Sequence, residues 1–83
     1  MEQQIKTTAK LYECRDTAKL FFKEKYQDKL QPYFTIIKDV MKSHDVKEIP
    51  ALLMISKSET YQSDGMIQMM FMAAIVEMIE PSK

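Results

Sequence analysis

One glycine, one cysteine, one histidine and no tryptophan stand among the 83 residues, and each scarcity removes a class of chemistry. A single Cys14 cannot close an internal disulfide, and one histidine, His44, without Cys/His spacing makes no zinc motif. A reducing compartment is the simpler expectation for such a chain. The only glycine, Gly65, leaves no glycine-rich loop to cradle a phosphate. Charge of neither sign is in excess, since twelve Lys and Arg balance twelve Asp and Glu. That balance argues against nucleic-acid binding by bulk charge. The opening Met1-Glu2-Gln3-Gln4-Ile5-Lys6 lacks the apolar core of a signal peptide. No apolar run reaches the ~20 residues that a membrane span requires, so a cytoplasmic location with no membrane partner is expected.

What the chain does contain is ordinary globular composition, 46% hydrophobic and 29% charged. A chain of this length is one domain close to the size at which a single core is marginal, because a 60-residue domain buries only ~60% of its unfolded surface. A second copy would add the missing cover.

The most demanding stretch is Met66 to Ile79, whose only polar residues are Gln68 and Glu77. Nine residues apart, they fall on opposite sides of a helix of 3.6-residue period. A helix over 64–80 without a polar face must be covered nearly all round, and Ser63 or Asp64 is suited to cap its start. Projection gives it a bulky arc, with Phe71, Met72, Ile75 and Val76, interrupted by Gln68. The opposite arc holds Met66, Met70, Ala73, Ala74 and Glu77. Small residues allow a second backbone to approach, so Met70, Ala73, Ala74 and Glu77 form a candidate two-fold interface. Gln68 joins them, since a Gln–Gln pair across the axis would satisfy its amide and set register. The five methionines of this stretch could offer thioethers to Cu(I), but they scatter around the axis, so packing is the better account.

Residues 3–30 read as one long helix, free of Gly and Pro. Leu11, Cys14, Ala18, Phe21 and Phe22 form one apolar stripe; Ile5, Ala9, Tyr12, Leu20 and Leu30 form another. Between them Arg15, Lys19 and Lys23 recur every fourth residue as a basic ridge. Their stems can lie over apolar neighbours with the charges in water. The alternative is a docking ridge for an acidic partner or phosphates. Gln31-Pro32 then breaks the helix, and a clean amphipathic helix follows over 32–43, with Tyr33, Phe34, Ile36, Ile37, Val40 and Met41 on its apolar side. Ser43-His44-Asp45 has the residue types of a hydrolase triad, but consecutive residues cannot face one another as a triad requires.

Pro50 marks a third short helix over 50–57, apolar all round, which must plug into the core. A buried strand over 51–58 is the alternative, because periodicity cannot assign so short a run. Ser56 to Gly65 is the longest polar loop. Tyr61 within it is either an exposed docking residue or a lid folded on the core.

These features predict an all-α protein: a small bundle of three or four helices with a long first helix and an apolar last helix, assembled as a homo-oligomer. No catalytic set, metal site or cofactor motif is present in the sequence. The expected role is a non-enzymatic protein–protein interaction module, a stoichiometric adaptor, inhibitor or regulator whose partners are itself and a second protein. Size alone also suits an accessory protein of a phage or mobile element. The alternative is a nucleic-acid-binding regulator with a helix-turn-helix-like segment at 32–57. Nucleic acid is the less favoured partner, because the recognition helix would be apolar where base-reading side chains belong.

Overall fold

Backbone conformation at Lys23 sets the architecture. The first helix, α1 (Glu2–Phe22), stops there, because Lys23 takes a φ of 54°, a conformation uncommon for any residue but glycine. A 3-10 turn over Lys23–Lys25 redirects the chain into α2 (Tyr26–His44). The computed structural model, which describes the backbone of residues 2–81 and side chains from residue 9, continues with α3 (Glu48–Ile55), α4 (Glu59–Ser63) and α5 (Gly65–Ile79). No strand occurs among the described residues, so residues 51–55 are helical rather than extended. The protein is an all-α bundle. Its radius of gyration, 12.2 Å, is close to the ~12 Å expected of a compact chain of this length.

The break between the first two helices lies earlier than the sequence implies, and Pro32 is not its cause. Pro32 sits inside α2, where its missing N–H leaves the Asp28 carbonyl without a helical donor. Asp28, Gln31 and Pro32 are all exposed, so water can reach that carbonyl. Side chains add support on the same stretch: the Thr35 hydroxyl donates to the Gln31 carbonyl (3.2 Å), and the Gln31 amide donates to the Gln27 carbonyl (3.4 Å). Pro32→Ala is expected to restore the helical bond and stabilise the fold by ~1–3 kcal/mol, within the ~3 kcal/mol that an interior proline costs. A urea midpoint that fell instead would mean the fold needs the proline at this position.

The remaining junctions use ordinary caps. Asp45 adopts a left-handed conformation after α2, and the N–H of Val46 donates to the Met41 carbonyl (3.0 Å). The Ser58 hydroxyl accepts from the Tyr61 N–H (3.3 Å) and so caps the one-turn helix α4 inside the stretch expected to be loop. Asp64 caps α5 as anticipated, accepting from the N–H groups of Met66 (2.9 Å) and Ile67 (3.4 Å).

At the centre is α5. Met70, Ala73, Ala74, Ile75 and Val76 are buried on all sides, with α1 packed along one flank and α2, α3 and α4 around the others. Ala18 of α1 and Ala51 of α3 are also fully buried; small side chains at these places let the helices approach closely. Of the two stripes expected on α1, the first largely enters the core through Leu11, Cys14, Ala18 and Phe22, although Phe21 is exposed. The second does not form, because Ala9 and Leu20 face solvent and Leu30 belongs to α2. Ile5 lies outside the residues whose side chains are described.

Candidate functional site

The cover on α5 from every side inside one chain takes up the residues expected to form a two-fold interface. Met70, Ala73 and Ala74 are buried within the monomer, and Glu77 is only 6% exposed. Met70, Ala73 and Ala74 present almost no surface to a second chain, and Glu77 presents little. Projection separates the arcs of a helix correctly but cannot say which arc faces a neighbour from the same chain: here Met72 of the bulky arc meets Cys14 of α1, and Glu77 of the small-residue arc meets Tyr26 of α2. Gln68 is likewise satisfied internally: its amide donates to the Tyr61 carbonyl (2.9 Å) and, at 3.5 Å, to that of Gln62. It ties α5 to α4 rather than pairing with its own copy.

The basic ridge also resolves into parts. The Arg15 guanidinium lies 5.0 Å from the Tyr12 ring centre and donates to the Glu80 carbonyl (3.2 Å). The Lys19 ammonium lies 5.8 Å from the centre of the Tyr26 ring. Both cations therefore cover aromatic faces of their own chain. Lys23, beyond the end of α1, is exposed and does not continue the ridge.

Beneath these cations runs a polar seam that the sequence did not reveal. The Tyr26 hydroxyl donates to the Glu77 carboxylate (2.7 Å) in a buried contact between α2 and α5. The Tyr12 hydroxyl donates to Glu80 and so closes α1 onto the end of α5. Burial first, and then the hydrogen bond to Glu77, hold the Tyr26 phenol far above its ordinary value. It stays neutral and acts as a donor that joins helices. Residues 51 positions apart meet here, which no local pattern could signal. Cys14 is equally structural: its Sγ is 3.5 Å from the Met72 sulfur, and burial pushes its thiol up, away from the reactive thiolate. His44 is exposed at the last turn of α2.

Tyr61 is not a docking residue on a loop. It is 7% exposed and packs against Phe71, ring centres 6.0 Å apart, as a lid on the core. Its side chain forms one wall of an apolar recess of about 380 Å³. Tyr33 and Ile36 of α2, Ile55 of α3, and Ile67 and Phe71 of α5 form the others, with Ser58 and Thr60 at one edge. Tyr33 meets Phe71 edge to face at 4.9 Å. None of these eight lining residues is charged.

Beside Ile55, α3 turns an apolar face outward. Ala51, Leu52 and Ile55 point into the core, whereas Ile49 (40% exposed), Leu53 (60%) and Met54 (40%) face solvent together with Pro50. The numbers 49, 50, 53 and 54 are one side of a helix. This surface was hidden in the sequence because a helix apolar all round shows no preferred face. Its brevity was the available signal, since a two-turn helix resting on a bundle can bury only one side.

Among the described residues no group of three or more His, Cys, Asp and Glu side chains is placed to hold a metal ion, and no helix is long and apolar enough to cross a membrane. Comparisons with protein-family models, curated proteins and solved structures returned no match.

Proposed function

We propose that this chain is a non-enzymatic protein-interaction module, acting stoichiometrically as an adaptor, inhibitor or regulator, and that it self-associates through the outer face of α3. The outward row of Ile49, Pro50, Leu53 and Met54 carries this reading. Contiguous exposed apolar surface marks interaction sites more often than scattered single residues do.

A second copy suits this face for three reasons. An uncharged apolar row is complementary to itself about a two-fold axis. Antiparallel pairing of two α3 helices sets Ile49 against Met54 and Pro50 against Leu53. The same pairing brings Glu48, at the start of one helix, towards Lys57, just past the end of the other. The balanced charge of the whole chain adds no net repulsion between copies. The other exposed apolar pair, Leu20 and Phe21, is only two residues wide and ringed by charges of both signs, Asp16, Lys19, Lys23, Glu24 and Lys25, so it offers a smaller apolar face than α3. A nucleic-acid reading gains nothing from this geometry, because the outward row of Ile49, Pro50, Leu53 and Met54 includes no group able to read a base edge.

Light scattering on a size-exclusion column is the test. The chain is expected to elute as a dimer at micromolar concentration, and Leu53→Glu as a folded monomer with unchanged far-UV circular dichroism. A wild-type monomer at several hundred micromolar would refute self-association. A Leu53→Glu dimer would place the contact elsewhere.

A further inference from the structure

We propose that the recess between α2, α3, α4 and α5 is a binding site for an uncharged, largely apolar small molecule of about two rings. This goes beyond the self-association assigned to α3 and rests on a separate observation, the composition and size of the cavity. Its volume of about 380 Å³ falls in the range of ligand pockets, ~300–1,000 Å³. A cavity of ~150 Å³ accepts benzene, so a single aromatic side chain from a partner protein would leave more than half of this recess unfilled, whereas a two-ring molecule fills it.

The lining sets the chemistry. A charged ligand would lose its hydration with no opposite charge in the walls to replace it. Three aromatic rings stand in the walls, Phe71 nearly perpendicular to Tyr33 (88°) and tilted to Tyr61 (45°), so an aromatic guest would meet rings set at different angles. Few polar atoms face the recess to hold water, since Ser58, Thr60 and the two tyrosine hydroxyls are the only side-chain polar groups among its lining residues. The Ser58 hydroxyl at the rim is already engaged, donating to the Ile55 carbonyl (2.8 Å) and accepting from the Tyr61 N–H (3.3 Å). Displacing weakly ordered water by an apolar group favours binding. Ile36 of α2 both lines the recess and is 45% exposed, so the recess opens to solvent on that side.

The test compares two probes of like ring size, neutral N-phenyl-1-naphthylamine and anionic 8-anilinonaphthalene-1-sulfonate, titrated into the full chain and followed by fluorescence. Expected is saturable binding of the neutral probe, one per chain, with the anionic probe weaker by about tenfold or more, the factor that corresponds to ~1.4 kcal/mol. Ile36→Trp and Thr60→Trp, both at exposed positions, are expected to weaken the neutral probe by at least about tenfold while the far-UV spectrum is unchanged. Leu53→Glu is expected to leave probe binding intact even where it abolishes the dimer, so loss of one property does not entail loss of the other. Equal affinity for the two probes, unsaturable binding, or neutral-probe affinity unaffected by both tryptophan variants would overturn the proposal. So would loss of the probe with Leu53→Glu, which would place it on the α3 face.

Discussion

Ala74→Glu is expected to unfold the chain. Ala74 is fully buried on α5, in the helix that every other helix packs against. Glutamate there would be both too large and charged. Overpacking a well-filled core costs ~1–3 kcal/mol, and an uncompensated buried charge costs several kcal/mol more. Against a total stability of ~4–12 kcal/mol for a domain of this length, the sum removes most or all of the folded population. Far-UV circular dichroism should show the helical signal lost at every protein concentration, with no cooperative urea transition. A variant that kept its helicity and changed only its oligomeric state would mean that Ala74 faces a second chain, as its residue type alone implied.

The second large effect concerns the buried pair of Tyr26 and Glu77. Tyr26→Phe keeps the ring but leaves the Glu77 carboxylate without this donor, at a cost of ~1.5–3 kcal/mol for a hydrogen bond to a charged group. The pH dependence gives a signature that simple repacking would not. Burial and the bond to Glu77 raise the folded-state value of Tyr26 above the 10.0 of an unperturbed tyrosine. The unfolded chain therefore loses this proton first. The stabilisation is complete below pH 10 and declines as pH rises above it, by up to ~1.4 kcal/mol per unit for one proton. Urea titrations from pH 7 to 11 should show a loss of stability above pH 10 that is shallower in Tyr26→Phe. Parallel curves for the two proteins would show that Tyr26 is not protected in this way.

Local patterns carried the helical class, the cap at Asp64 and the demand of α5 for cover on all sides. They carried less about partners, because a helical projection describes one helix and not its neighbours. Ala73 and Ala74 look the same whether the rest of their own chain or a second chain lies over them. Pro32 misled for a related reason: proline weakens a helix by a fixed local amount, and the packing of Tyr26, Leu30 and Ile37 on the core outweighs it. The actual break depends on a left-handed lysine, which has no residue-type signature. The candidate sites were least legible of all. The outer face of α3 and the recess beside it exist only once five helices are assembled, and the one aromatic residue singled out near them, Tyr61, serves as a wall of the recess and not as an exposed contact.

The closure of α1 onto α5 has a consequence for the evolvability of the connectors. Tyr12 and Glu80, which hold the two helices together, are 68 positions apart, so nearly the whole chain is one closed loop. The entropy of closing such a loop grows only with the logarithm of its length, and doubling it would add only ~0.6 kcal/mol. Extra residues between α2 and α3, where Asp45 and Lys47 are exposed, would therefore lengthen the loop at little expense to the seam that shuts it. The bundle can change its joints while keeping its clasp.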